Sequence, residues 1–100
     1  MEVLIARQND ETTVTLNGRL DTPASQDVAA ELEPLMAFED KTLILECKDL
    51  SYISSSGLRI FLALRKAAAE KGGRVIVRDI SDSIRSVFMM TGFLNLFEIQ

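Results

Sequence analysis

Three consecutive serines, Ser54, Ser55 and Ser56, are the side chains of this 100-residue sequence whose type and spacing best suit chemistry. Gly57 follows them, and helical spacing of apolar residues begins at Leu58. A helix needs one hydroxyl as its N-cap, so the cluster exceeds what capping requires. Hydroxyls at a helix start can be phosphorylated, because the positive end of the helix dipole favours the added charge. Gly57 costs a helix about 1 kcal/mol relative to alanine, and we expect it to let another molecule approach the backbone.

Several kinds of site are excluded by what the chain lacks. Because there is no histidine, a Ser-His-Asp or Cys-His pair and an imidazole metal site are impossible. A serine hydrolase would need a lysine base instead, and nothing in the sequence indicates that Lys48 approaches Ser55. The single cysteine, Cys47, cannot form an internal disulfide, and we expect it to be a buried small hydrophobe in a reducing compartment.

Charge and motifs narrow the possible partners. Fifteen acidic and eleven basic residues give a net charge of −4, which disfavours nucleic acid as a partner. No phosphate-binding loop of the Gly-x-x-x-x-Gly-Lys-Ser/Thr type occurs, so we predict no nucleotide, metal or other cofactor. The longest stretch without charge, residues 86–97, is too short to span a bilayer. No signal peptide is recognisable, and we expect a cytoplasmic protein with no direct membrane insertion.

The first third of the chain predicts a hairpin followed by a helix. Residues 3–5 and 12–16 are apolar or alternating segments on either side of the turn-forming residues 8–10. Thr22 is suited to the N-cap and Pro23 to the first helical position. Pro34 lacks a backbone donor, so we expect the helix to end or kink near Glu33.

The rest of the chain predicts a βαβ unit and one more helix. Residues 43–45 and 74–77 are apolar runs of the kind found in strands covered on both faces, and the serine-initiated helix between them ends at Gly72-Gly73. A right-handed crossover would make the two strands parallel. Ser81 and Gly92 suit the two ends of a third helix, and the apolar tail after Gly92 suits an edge strand. We therefore predict an α/β fold: one domain over residues 1–100, with a mixed sheet, an N-terminal hairpin, a parallel βαβ unit and about three helices.

The serine segment also resembles a known family signature. Residues 49–58, which read DLSYISSSGL, resemble the motif of STAS domains of the anti-sigma factor antagonist family. Residues 18–21 are similar to the Gly-x-Leu-Asp turn of that family, and residues 74–94 are similar to its C-terminal half. The resemblance extends from about Val3 to Ile99, and it implies a STAS-like fold.

The resemblance implies a non-enzymatic switch in bacterial partner switching. Such a protein binds an anti-sigma factor that is also a serine kinase, is phosphorylated by it, and is reset by a serine phosphatase. The phosphoacceptor would be Ser55, with Ser54 and Ser56 as alternatives. Asp21, Ser54, Ser55, Ser56, Gly57 and Arg59 would form the partner-binding surface. Two residues depart from the family pattern: Ser54 replaces an aspartate, and Arg59 replaces a glycine and could pair with a phosphate one turn away or remain solvated.

Two other interpretations stay open at this point. A STAS domain can also be a regulatory or structural subunit of a transporter or a lipid-trafficking complex, which would need no phosphorylation. The apolar residues Phe88, Met89, Met90, Phe93 and Leu94 could line a lipid or cofactor pocket. We expect them to form core instead, because a domain of this size needs such side chains to close its sheet.

Overall fold

The computed structural model describes residues 1–37 and 41–100 of the chain, in which strands and helices alternate after an initial hairpin. The strands are β1 (Glu2–Gln8), β2 (Glu11–Leu20), β3 (Thr42–Glu46), β4 (Leu50–Ile53), β5 (Arg74–Arg78) and β6 (Glu98–Ile99). The helices are α1 (Thr22–Leu32), α2 (Ser55–Glu70) and α3 (Asp82–Thr91), with short 3₁₀ segments at Glu33–Ala37 and Phe93–Asn95.

The sheet is mixed and contains the predicted hairpin and βαβ unit. Strands β1 and β2 are antiparallel, with Gln8 opposite Glu11. All other pairs are parallel, and the order is β1-β2-β3-β5-β6. Strand β2 is longer than predicted: its first half pairs with β3 and its last residues pair with β4, a strand that the sequence analysis did not predict. The predicted α/β fold is confirmed.

The three helices pack on one face of the sheet. Their buried residues form one apolar cluster with alternate strand residues such as Val14, Leu45 and Val77. Phe61 of α2 meets Phe88 of α3 edge to face, with ring centroids 6.0 Å apart. Phe97 lies 6.2 Å from the Phe61 ring. The core therefore fixes α2, and with it the serine cluster, against both the sheet and α3.

The ends of the helices follow their local sequence, with one correction. Ser81 caps α3 and Gly92 ends it in the left-handed conformation, at φ 80°, as predicted. Helix α1 ends at Leu32, before Pro34, also as predicted. Its N-cap, however, is Asp21 and not Thr22, because the Asp21 carboxylate accepts a hydrogen bond from the Ala24 amide at 3.0 Å.

The second face of the sheet carries no helix in the part of the chain that is described, yet the central residues of β3 and β5 are buried on both faces, as predicted. Ile44 and Ile76 lie side by side on this face, and each is less than 7% exposed. Charged pairs on the neighbouring strands flank them: Arg78 with Glu46 and Arg74 with Glu98, each at 2.8 Å. The long side chains of these charged pairs therefore cover the two isoleucines, in place of a second layer of helices.

The C-terminal apolar segment divides between core and surface. Phe88 and Phe93 are buried, as expected, and Leu94 packs against the core. Met89 and Met90 are 65% and 79% exposed, so the expectation that they belong to the core is wrong. They lie on the outer face of α3, away from the side on which Phe88 packs. None of the described helices combines the length and the apolar character that crossing a membrane requires.

Candidate functional site

Two strands deliver the predicted site residues to the same edge of the sheet. Leu20 at the end of β2 pairs with Ile53 at the end of β4, and the Ser54 amide donates a hydrogen bond to the Leu20 carbonyl at 2.8 Å. Helix α1 begins at Thr22, after its cap Asp21, and α2 begins at Ser55, after its cap Ser54. The amino ends of two helices therefore meet beyond the carboxyl ends of two parallel strands, a location where α/β proteins commonly place functional groups.

Ser54 is a buried cap that joins the two helices. Its hydroxyl oxygen accepts a hydrogen bond from the Gly57 amide at 3.2 Å and lies 3.4 Å from the Ser25 hydroxyl oxygen. The Ser25 hydroxyl donates its one proton to the Asp21 carbonyl at 2.7 Å, so Ser54 must be the donor toward Ser25. This chain of hydroxyls fixes the start of α2 relative to the start of α1.

Ser55 and Ser56 differ from Ser54 in exposure. Ser55 is the first residue of α2 and is exposed, whereas Ser56 is half-buried. Over residues 1–37 and 41–100, no hydrogen bond to the hydroxyl of Ser55 or Ser56 is found. The cluster thus contains one hydroxyl committed to capping, one open to solvent and one on the side toward α1.

Gly57 is needed for packing within the chain. A methyl group at this position would lie 2.8 Å from Cγ of Leu20 and 2.9 Å from Cγ1 of Ile53, which is closer than such carbon atoms approach. Gly57 is also buried. The space that this glycine leaves is therefore occupied by side chains of β2 and β4, which corrects the expectation that it is open to another molecule.

A shallow groove separates the first turns of α1 and α2 beside the serines. It is lined by Thr22, Ser25, Gln26 and Ala29 of α1 and by Ser56, Arg59 and Ile60 of α2. Arg59 is exposed at its edge. Asp21, half-buried, lies at the amino end of the same helix pair. The structure thus brings all six predicted site residues to one edge of the sheet, with Ser54 and Gly57 buried beneath the others.

Two features of this edge escaped the sequence analysis. Ser25 is buried in the middle of the hydroxyl chain, and nothing in its sequence surroundings distinguishes it from an ordinary helical serine. Arg19 and Tyr52 pair across β2 and β4, with the guanidinium carbon 4.4 Å from the ring centroid. Both are exposed, and each lies two residues before a helix cap. Arginine and aromatic side chains are enriched among residues that dominate binding at protein interfaces.

The chemistry available at this edge is that of an exposed hydroxyl and not of an activated nucleophile. No base is bonded to the Ser55 hydroxyl in the described part of the chain. Within the same residues, no three Cys, Asp or Glu side chains come together to hold a metal ion. Cys47 is fully buried between β3 and β4, and burial raises the pKa of its thiol to about 12.

Comparisons with known proteins agree with this geometry. The anti-sigma-B factor antagonist of Bacillus subtilis is 25% identical over 99 residues, which cover 99% of this chain and 90% of that protein. The unphosphorylated form of the anti-sigma factor antagonist SpoIIAA superimposes with a TM-score of 0.84 at 22% identity, covering 99% of this chain and 88% of the other. Its phosphorylated Bacillus form gives a TM-score of 0.77 at 22% identity, with coverages of 99% and 91%. Residues 3–100 match the STAS domain, and the chain therefore belongs to the STAS domain family.

Proposed function

We propose that this protein is an anti-sigma factor antagonist that binds an anti-sigma factor through the edge formed by α1 and α2. Phosphorylation of Ser55 would control the affinity. The proposed partner is an anti-sigma factor of the serine-kinase type, and a serine phosphatase would restore the unmodified form, both in the cytoplasm. The protein itself is a binding module and performs no catalysis in this scheme.

The observation that carries the proposal is the position of Ser55. Its hydroxyl is exposed at the first residue of α2, next to a serine that already caps the helix. A kinase can reach it without unfolding the helix, and the helix dipole stabilises the phosphate that results. The relatives add support, since one carries the name anti-sigma-B factor antagonist and SpoIIAA exists in a phosphorylated form.

The binding surface of this proposal centres on the exposed and half-buried residues of the edge. Ser55, Ser56, Arg59 and Asp21 would contact the partner, and the stacked Arg19 and Tyr52 extend the same edge. Ser54 and Gly57 contribute from below: one caps α2, and the other lets α2 lie close to the sheet. Their effect on binding would be indirect, through the position of Ser55.

The energetics of the switch are sufficient. A phosphate carries about −1.5 to −2 charges at pH 7. Burying it without a partner in an interface costs several kcal/mol. A loss of roughly 3 kcal/mol already weakens binding more than a hundredfold. One modification at the centre of this edge can therefore release the partner.

The proposal is tested by capture and phosphate mapping. The wild type and Ser55→Ala are used as baits in lysate of the native host, and the captured protein is then incubated with each bait and ATP. We expect an anti-sigma factor of the kinase type to be captured by both, one phosphate on the wild type by intact mass, and none on Ser55→Ala. A phosphate that persists on the alanine variant moves the acceptor to Ser54 or Ser56.

Binding of phosphomimetic variants completes the test. Calorimetry with the captured partner should show that Ser55→Asp binds at least tenfold more weakly than the wild type. Ser86→Asp, which adds the same charge at an exposed position of α3, should bind like the wild type. Equal affinity of wild type and Ser55→Asp would contradict the switch, and capture of a membrane transport complex without phosphorylation would favour the alternative STAS role.

A further inference from the structure

Arg59 is an exposed cation at the proposed switch without an anionic partner in the described structure. No hydrogen bond or ion pair involving its guanidinium is found over residues 1–37 and 41–100. Arg74 and Arg78 pair with glutamates, Arg65 donates to the Leu96 carbonyl, and Arg19 lies over Tyr52, whereas Arg85 of α3 resembles Arg59 in having no such contact within the described residues. What sets Arg59 apart is its position, because it lines the groove beside Ser56 and follows Ser55 by one helical turn.

The surroundings of Arg59 account for the missing partner. The groove that it lines is bordered on the α1 side by Thr22, Ser25, Gln26 and Ala29, none of which carries a charge. The acidic side chain at this edge is Asp21, whose carboxylate accepts a hydrogen bond from the Ala24 amide. The first two turns of α2, from Ser55 to Ile60, contain no acidic residue. Nothing on the two helix faces therefore competes for the guanidinium.

The spacing from Ser55 suits a phosphate. Residues four apart on a helix lie on one face, with Cβ atoms about 5–6 Å apart, and Arg59 is four residues after Ser55. An acidic group placed N-terminal to a basic one at this spacing is the favourable orientation. A guanidinium can donate two parallel hydrogen bonds to phosphate oxygens. Both side chains are exposed, so the pair can form without displacing core residues.

We infer that Arg59 binds the phosphate on Ser55 within the same molecule. This inference rests on the proposed function, because it concerns the phosphorylated form of that switch. Phosphorylation would then act twice on the binding edge: the phosphate keeps part of its negative charge at Ser55 even when it is paired with one guanidinium, and Arg59 is withdrawn from any partner that had contacted it. The unmodified protein would present a cation at this position. The modified protein would present a pair of phosphate and guanidinium whose net charge is negative.

The test uses the full chain with phosphoserine placed at position 55 by genetic encoding, so that it does not depend on any kinase. The pKa of the phosphate is followed by ³¹P NMR in three proteins: the wild type, Arg59→Gln and Lys66→Gln. A nearby cation favours the dianion and lowers the phosphate pKa. We therefore expect a higher pKa in Arg59→Gln than in the wild type. The Arg59 Nε–H signal should also shift between the unmodified and the phosphorylated wild type.

Lys66→Gln is the matched control. It removes the same charge from an exposed position on nearly the same face of α2, about 16 Å farther along the helix axis than Ser55. At physiological salt this exceeds the Debye length of about 8 Å. Its phosphate pKa should equal that of the wild type. Identical titration of the wild type and Arg59→Gln, or an equal change in both variants, would overturn the inference. Because the phosphoserine is encoded, that outcome is separate from a failure of kinase or anti-sigma factor binding.

Discussion

The three neighbouring hydroxyls at the start of α2 occupy three different environments. Ser54 is buried and caps the helix, Ser55 faces solvent, and Ser56 faces the groove beside α1. The division follows from where the helix begins, because only the residue at the N-cap can accept from the amide two or three positions later. A shift of the helix start by one residue would give the cap to Ser55 and remove the exposed hydroxyl.

The capping role of Ser54 can be measured as stability. Ser54→Ala removes the acceptor for the Gly57 amide and should lower the free energy of unfolding by about 1–2 kcal/mol in urea. Ser54→Asp keeps a capping oxygen and should therefore lose less stability than Ser54→Ala. Ser56→Ala serves as the control and should stay within about 0.5 kcal/mol of the wild type. Equal stability of Ser54→Ala and Ser56→Ala would show that Ser54 does not hold the helix.

At this scale the sequence predicted the cluster but not the roles within it. Three identical residue types in a row cannot reveal which one caps, and the resemblance to the family motif supplied the assignment of Ser55. Ser25 was missed because its importance depends on the approach of α1 to α2, a contact between residues 29 positions apart. Gly57 stood out in the sequence because glycine is unfavourable in a helix. The reason for a glycine at this position is the proximity of Leu20 and Ile53, which only the packed structure reveals.

Among the elements, the short strand β6 depends on a few polar contacts. It is only two residues long, and its backbone is joined to β5 by hydrogen bonds that include the Gln100 amide to the Val77 carbonyl at 2.9 Å. The Arg74 guanidinium donates two hydrogen bonds to the Glu98 carboxylate, at 2.8 and 2.9 Å. These bonds lower the pKa of Glu98. The edge of the sheet is therefore held partly by a titratable pair.

Loss of this pair should loosen β6. Glu98→Gln is expected to speed hydrogen exchange of the Gln100 amide by roughly two- to fivefold at neutral pH, the range for an exposed ion pair. The folded-state pKa of Glu98 is lowered, so its contribution is present above the unfolded value of 4.5 and is lost as pH falls through the folded one. After correction for intrinsic rates, the wild type should lose protection in acid and Glu98→Gln should not. Glu70→Gln is the control. If it changed the protection of the Gln100 amide as much as Glu98→Gln does, the proposed role of the Arg74–Glu98 pair would be contradicted.

The elements were predicted well where one local signal defined them. The hairpin turn, the Pro34 break and the two ends of α3 are each set by residues adjacent in sequence. Strand β4 was missed because its four residues show a buried-exposed-exposed-buried pattern that fits neither alternation nor a continuous apolar run. Its strand character comes from pairing with β2 across a register shift after Gly18, which is a long-range contact.

In the molecule as a whole, Cys47 reports on the integrity of the core. The residue is fully buried, and burial raises its thiol pKa to about 12, above the ordinary value of 9.0. Both features suppress the thiolate, which is the reactive form. Because the folded-state pKa is raised, this group also favours the folded state below pH 9 and ceases to do so as pH rises toward 12.

Thiol labelling should therefore follow global unfolding. At pH 8, a disulfide reagent is expected to react with Cys47 only after the protein unfolds, so that the labelling rate rises with urea in proportion to the unfolded fraction. A peptide containing residues 42–52 provides the reference for the fully accessible thiol. Labelling of the native protein at a rate near that of the peptide would show that the region around Cys47 opens locally.

The unreactive thiol and the helix-free face of the sheet together favour single-molecule and biosensor work. A cysteine introduced at Leu4, which is 52% exposed and lies opposite Thr15 on that face, would be an accessible sulfhydryl beside the buried Cys47. Coupling through it would keep the attachment point away from the serine-bearing rim, which lies at the carboxyl ends of β2 and β4. Association and dissociation could then be timed for modified and unmodified protein without the attachment chemistry touching the surface under study.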